Sequence, residues 1–370
     1  MRRRWRLMYS LEFGEYSAEY MDKRLRSDRL IWYEFDLLDK EDAPLGKITA
    51  QGSIDADTSA AIQRCASLTI KEERDIDFLS ERVRPSMCIE TPTGIAHYPL
   101  GVFLMSSPSR KASVGAVGRS IECYDKTQIL ADDKFDSRYK VSAGTNYIGA
   151  VSTILTSAGI TDALLTVTDK TLAADMEFAM GTSKLEAVNK LLKAINYNNI
   201  YASADGRLVA KPYMDPVIRT VETTYVTDSK SIVFGGAEEE LDVFNAPNKI
   251  VRYLETADRD VLIASVTNDD PLSKLSTVTR GRTIVDIAAV TDIADQATLT
   301  AYTQRVAAEK KIYQKIIFET AAMPNHESLD CLYIINRDLD IQGKFIEQSW
   351  HLDMEIGGRM RHVCQKAVSI

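Results

Sequence analysis

Between Leu30 and Leu38 the chain alternates, with Tyr33, Phe35 and Leu37 on one side and Glu34 and Asp36 on the other. A period of two marks a half-buried strand. Asp39–Gly46, with its acids, Pro44 and Gly46, predicts a turn after it. Short apolar runs predict further strands at Ser67–Lys71, Met87–Glu90, Leu100–Met105 and Ser120–Tyr124, separated by Pro85, Pro92, Gly94, Pro99 and Pro108. Many short strands broken by turn residues point to a sandwich or a barrel.

After Asp125 the period lengthens. Thr145–Gly159 reads as a helix with Ile148, Val151, Ile154 and Leu155 on one face, Thr145 as its cap and Gly159 as its end. A second helix carries Leu185, Val188, Leu191, Leu192 and Ile195, and Ser183 with Glu186 fits a capping box. Ile200–Ala210 reads as a hairpin around a two-residue Asp205-Gly206 turn. From about Val217 strand texture returns at Thr220–Thr227, Lys249–Glu255 and Val261–Thr267, with a turn at Phe244–Asn248. A long helix is expected over 298–316, then strands at Lys315–Thr320, Cys331–Ile335 and Lys344–Leu352. Three units follow from this order: 1–125, an arm and a first β-barrel-like domain; 126–216, an inserted small α+β module; and 217–370, a second β-barrel-like domain containing the long helix.

The chain has 370 residues, 45% hydrophobic and 26% charged, an ordinary globular composition. No window approaches the ~18 consecutive apolar residues of a membrane helix, so no membrane span is expected. The basic start through Arg6 resembles the head of a signal peptide, but Glu12, Glu15 and Glu19 interrupt the apolar segment that secretion needs. Residues from Arg2 to Arg26 are expected to form a basic arm or a solvated tail. The net charge of −8 disfavours nucleic-acid binding through phosphate contacts. Cys65, Cys88, Cys123, Cys331 and Cys364 are scattered and odd in number, so they read as small buried hydrophobes in a reducing compartment.

The motifs of phosphate-binding loops, dinucleotide sites, serine hydrolases and zinc proteases are all missing from the sequence. His326-Glu327 lacks a second histidine at protease spacing, and His351 and His362 have no third ligand near them in sequence. Asp338–Gly343 imitates the opening of a calcium loop, yet Ser349 stands where the bidentate glutamate belongs, so a polar turn between strands is expected. Three acidic runs, Glu238–Glu240 with Asp242, Asp132-Asp133 and Asp269-Asp270, read as solvated. No catalytic, cofactor-binding or metal residue is therefore expected.

A resemblance adds to this. Pro99–Met105, Ile121–Lys126, Ala143–Tyr147, Met180–Asn196, the hairpin closing at Lys211–Tyr213, Phe244–Lys249, Ser276–Arg282 and Met323–His326 stand in the order of similar pieces in tailed-phage baseplate or tail-tip hub proteins. The likeness runs from about Leu30 to the C-terminus and is strongest to hubs of phages, and phage-derived tails, of Gram-positive hosts.

The resemblance implies an α+β, β-rich fold, with two tail-tube-like β-barrel domains and an inserted small α/β module. It implies a non-enzymatic structural protein of the virion, assembled in the host bacterial cytoplasm. Three copies would form a pseudo-sixfold ring between the tail tube, or a distal tail protein ring, and a central spike or tail fibre protein, with the tape measure protein as a further partner. Genomic DNA would pass the lumen without specific binding, and acidic lumenal residues would repel its phosphates. The chain ends at Ile370 after the hub-like region, so cell-wall cutting is expected of other chains. The alternatives are a tail protein that recognises host-surface carbohydrate and a peptidoglycan or glycoside hydrolase using paired carboxylates.

Overall fold

In the computed structural model, residues 10–27, 29–71, 73–113, 116–228, 231–241, 244–256, 259–291, 293–310 and 314–366 are described. Met1–Tyr9 of the basic arm lie outside them. The rest of the arm is no solvated tail. Ser17 caps helix α1 (Ala18–Leu25), which buries Met21 and Leu25 against the first core.

The alternation after it forms β1 (Ile31–Leu38), with Phe35 and Leu37 buried. The Asp39 carboxylate accepts the Glu41 and Ala43 amides and tightens the turn. The chain returns at once as β2 (Pro44–Ile48), antiparallel to β1, so the turn expected through Gly46 is shorter. Pro44 is tolerated there because it opens an edge strand, where a missing N–H breaks no ladder. Seven more strands complete the first half: β3 (Ala50–Asp57), β4 (Arg64–Lys71), β5 (Arg82–Thr91), β6 (Gly94–Pro99), β7 (Phe103–Met105), β8 (Ser109–Ser113) and β9 (Ala116–Asp125).

The middle stretch holds α2 (Thr127–Asp132), β10 (Tyr139–Val141), α3 (Tyr147–Ser157), β11 (Ala163–Leu165), β12 (Met176–Phe178), α4 (Lys184–Ala194), β13 (Tyr201–Ala202) and β14 (Leu208–Ala210). Its own core draws on α3 and α4 through Val151, Ile154, Val188 and Leu191. Asn146, not Thr145, caps α3, because Thr145 is already engaged through its carbonyl with the Leu172 amide. The β13–β14 hairpin closes at Ser203 and Arg207, so its loop is three residues long, Ala204 to Gly206. Gly206 has φ +85°, and a Cβ there would stand 2.6 Å from Val102. The loop thus lies against the first half too closely for any other residue.

The last part contains β15 (Thr223–Val226), β16 (Glu238–Leu241), β17 (Lys249–Thr256), β18 (Arg259–Thr267), α5 (Thr277–Arg280), β19 (Val285–Ala289), α6 (Gln296–Lys310), β20 (Gln314–Ala321), β21 (Cys331–Asn336), β22 (Ile341–Asp353) and β23 (Arg359–Lys366). The long helix expected over 298–316 stops earlier: Gln314, Lys315 and Ile316 are strand. Pairing of β20 between β16 and β23 in the main sheet overrides local helix preference there. A separate three-stranded sheet, ordered β18–β17–β19, packs α6 on one face through Ile250, Leu254, Leu299 and Val306. The opposite face leaves Ile263 and Ile287 exposed.

The two β-rich halves share one sheet. Its path runs β16–β20–β23–β22–β3–β4–β9–β7–β5–β1–β2, and β3 pairs β22 through Ile54 with Leu352 and Ala56 with Trp350. The first core accordingly takes in Met323, Trp350, Leu352 and Met360 from the second half. At roughly 1.5–3 kcal/mol per fully buried large apolar side chain, these four alone weld the halves.

Candidate functional site

Where the two halves and the middle module meet, the polar residues are buried. Arg64 of β4 sends Nη1 to the Leu100 carbonyl at 2.9 Å and Nη2 to the Glu327 carboxylate at 2.8 Å. Its guanidinium also lies over the Trp350 ring, 5.4 Å from the centroid. The other Glu327 oxygen accepts the Ala204 amide at 2.8 Å. One carboxylate from the second half therefore holds a strand of the first half and the hairpin loop of the module. Burial raises the Glu327 carboxyl, while Arg64 and the Ala204 amide oppose the rise. Asp125, also buried, accepts the Arg64 amide and the Thr127 amide, and so pins the point where β9 passes into α2.

Beside this clasp lies a second buried network. His326 and His362 direct Nδ1 to the two oxygens of Glu347, at 2.6 and 2.5 Å. Their Nε2 atoms meet the Tyr225 hydroxyl at 2.7 Å and the Thr320 hydroxyl at 2.8 Å. Burial pushes the Glu347 carboxyl up, but the charges and hydrogen bonds of the two imidazoles outweigh it and leave it at about 2. Burial lowers His362, with Glu347 opposing. Ligand atoms around a tetrahedral zinc ion stand roughly 3.3 Å apart, given bonds of about 2.0–2.1 Å. The shorter separations here are those of shared protons, so this cluster is a hydrogen-bonded core element with every histidine nitrogen satisfied. Sequence spacing hides it: the partners come from β15, β20, the loop before β21, β22 and β23.

A cleft of about 340 Å³ opens at the same junction, lined among others by Gln63, Asn198, Tyr201, Tyr213, Arg305 and Glu309. A neighbouring cleft of about 280 Å³ shares Tyr201 and Tyr213 and adds Lys211, Arg219 and Glu222. Glu222 is already engaged by Arg219 and by the Cys331 amide. Each of these two clefts is lined by one carboxylate, Glu309 in the first and Glu222 in the second.

Of the residues singled out from the sequence, His326 and His362 meet at Glu347, and the others do not gather. Glu238–Glu240 lie exposed along β16, with Glu240 paired to Lys315; Asp242 lies outside the described residues. Asp133 pairs with Lys184, and Asp132 accepts from Gln128. Asp270 accepts the Leu272 amide in a turn, with Asp269 exposed beside it. Asp338 and Asp340 sit in the loop of the β21–β22 hairpin, and Gly343 is already in β22. His351 is half-exposed between Asp55 and Asp353. Cys88, Cys123, Cys331 and Cys364 are buried thiols, and Cys65 is half-buried.

The fold can be compared with solved structures. A tail protein from Neisseria meningitidis MC58 superposes with a TM-score of 0.64 at 13% identity, over 90% of this chain and 97% of that one. The 43 kDa tail protein of prophage MuSo2 from Shewanella oneidensis gives 0.61 at 12% identity, over 90% and 98%. The chain has the fold of phage tail proteins. The prophage tail protein gp18 from Listeria monocytogenes EGD-e gives 0.56 at 11% identity, over 91% and 95%. These three tail proteins come from three different bacteria, so the likeness carries no host. No protein-family model matches the sequence, and no curated protein matches it either.

Proposed function

We propose that the chain is a structural, non-enzymatic component of a phage or phage-derived tail. In this reading three copies form a pseudo-sixfold hub ring between the tail tube and a central spike or fibre. The observation that carries it is the extent of the fold likeness: nine-tenths of this chain matches nearly the whole of two separate tail proteins. Such a likeness covers the complete architecture, not one portable module.

Two features of the surface support assembly. The long path through the main sheet ends at β2 on one side and β16 on the other, with β6, β8 and β15 on side branches, and β2 and β16 are both exposed. Unpaired strand edges are templates for pairing with another chain. Contacts between two different edges are head-to-tail, and such contacts close into rings when the rotation allows. Ile263 and Ile287, exposed on the outer face of the β17–β19 sheet, add apolar surface suited to a neighbour. The organisation proposed with this role is a first half to about residue 125, a module over 126–216, and a second half from 217 that carries its own α/β layer around α6.

The net charge of −8 suits a channel that DNA traverses without sticking, since acidic walls repel phosphates. The proposal places the virion tail as the chain's location, after assembly in the host cytoplasm, with the tube, the spike or fibre and the tape measure protein as partners.

Solution mass is the test. Native mass spectrometry should give about three times 41.3 kDa. A stable dimer would overturn the ring, because a twofold axis cannot join a sixfold tube to a threefold spike.

A further inference from the structure

We propose that Glu34, Cys88 and His97 form a binding site for a zinc-class divalent cation, with Lys47 as its occupant in the ion's absence. The three side chains come from adjacent strands. Cys88 on β5 is directly opposite His97 on β6 and opposite Trp32 on β1, so Glu34 is its diagonal neighbour on the same face. That face is the outer one: Met87 and Ile89, on either side of Cys88, belong to the core.

The geometry distinguishes this cluster from the buried histidine network. Cys88 Sγ and His97 Nδ1 are 3.2 Å apart, His97 Nδ1 and Glu34 Oε2 are 3.5 Å apart, and all three ligand atoms lie within 4.8 Å of one another. A tetrahedral zinc ion with bonds of about 2.3 Å to sulfur and 2.0–2.1 Å to nitrogen and oxygen sets its ligand atoms roughly 3.3–3.5 Å apart. One sulfur, one imidazole and one carboxylate are a borderline-soft donor set, which selects zinc, cobalt or nickel over magnesium and calcium. The His97 side chain is 46% exposed, so the fourth position opens to solvent.

The surroundings supply an outer shell. Trp32 Nε1 donates to Glu34 Oε1 at 3.1 Å, which fixes the carboxylate and leaves Oε2 for the ion. The Lys47 ammonium pairs with that same Oε2. Its side chain is 59% exposed and leaves for water at little cost. Cation and lysine therefore compete for one oxygen. The ion binds Cys88 as its thiolate and releases the thiol proton to solvent. Asp36, further along β1, is occupied by Arg84 and takes no part.

The experiment is titration of the reduced, full-length chain with Co²⁺ and then Zn²⁺. One equivalent of cobalt should develop a thiolate-to-cobalt charge-transfer band, and zinc should abolish it. Cys88→Ser should lose the band, and His97→Gln, a change at an exposed side chain, should weaken binding at least tenfold. Lys47→Met should tighten it, which a merely structural ion pair would not do. Absence of the band, its survival in Cys88→Ser, or unchanged affinity in both His97→Gln and Lys47→Met would overturn the proposal.

Discussion

Arg64 and Glu327 are 263 positions apart in sequence, yet their charged ends meet at 2.8 Å with both side chains sealed from water. The pair joins strand β4 to the loop before β21, and the second Glu327 oxygen reaches on to Ala204 in the module. Removing one member leaves the other charge buried and unpaired, which costs about 3–5 kcal/mol. Glu327→Ala should therefore unfold at markedly lower denaturant than the wild type. The double replacement Arg64→Met with Glu327→Leu should recover much of the loss, since no lone charge remains. The fluorescence of Trp350, stacked on Arg64, reports the transition directly. A wild-type midpoint for Glu327→Ala would show that the clasp is dispensable.

Two histidines push the pH dependence of stability in opposite directions. Burial holds His362 below its ordinary value of 6.5, so the unfolded chain takes up a proton before the folded one does. Stability from this site falls as pH drops through 6.5. At His351 burial is outweighed by the hydrogen bonds and charges of Asp55 and Asp353, which raise it. Its contribution is fully present below 6.5 and is lost as pH rises through the raised value. Glu347, at about 2, adds stability above its ordinary 4.5 that is lost as pH falls from there towards 2. Thermal midpoints measured from pH 5 to 8 should thus show a shallower acid-side decline in His362→Gln. His351→Gln should lose midpoint on the acid side relative to wild type.

What the sequence made legible follows from range. The alternation in β1, the apolar face of α4 and the Ser183 cap depend on neighbours within a turn or two, and each appears as read. Extents set by distant pairing were not legible. Gln314–Ile316 continue a helical pattern, yet they pair with β16 and β23. The three residues of the His326, Glu347 and His362 network share no spacing motif, because the sheet alone brings them together. Glu34, Cys88 and His97 were hidden in the same way. Cross-strand register decides their meeting, and register is fixed by the whole hairpin order.

Tyr33 offers a test of an unpaid polar group. Its hydroxyl is sealed from water and has no hydrogen-bond partner among the described residues. Burial raises the phenol, with Arg29 opposing, so the group stays neutral at every working pH. Tyr33→Phe keeps the ring and removes the orphan oxygen. An unsatisfied buried hydroxyl costs about 1–3 kcal/mol, so the variant should be more stable by about 1 kcal/mol. A lower unfolding midpoint would mean that the hydroxyl has a partner in solution.

The free edges of the main sheet carry the last prediction. Leu45 on β2 and Leu241 on β16 are both exposed, at the two ends of one strand path. Lysine on an edge strand is a standing defence against strand addition, because pairing would have to desolvate its ammonium. Leu45→Lys and Leu241→Lys should each leave the melting curve of the single chain within about 0.5 kcal/mol of wild type, as surface changes do. If the ring closes edge to edge, each should also reduce the assembled mass to the 41.3 kDa of one chain. Mixing the two variants should not restore a closed ring, because one junction in every open chain would still oppose a blocked edge. A wild-type mass in both variants would move the subunit contact away from the strand edges. The exposed face around Ile263 and Ile287 would then be the surface to change next, since two large apolar side chains stand uncovered on one sheet face there.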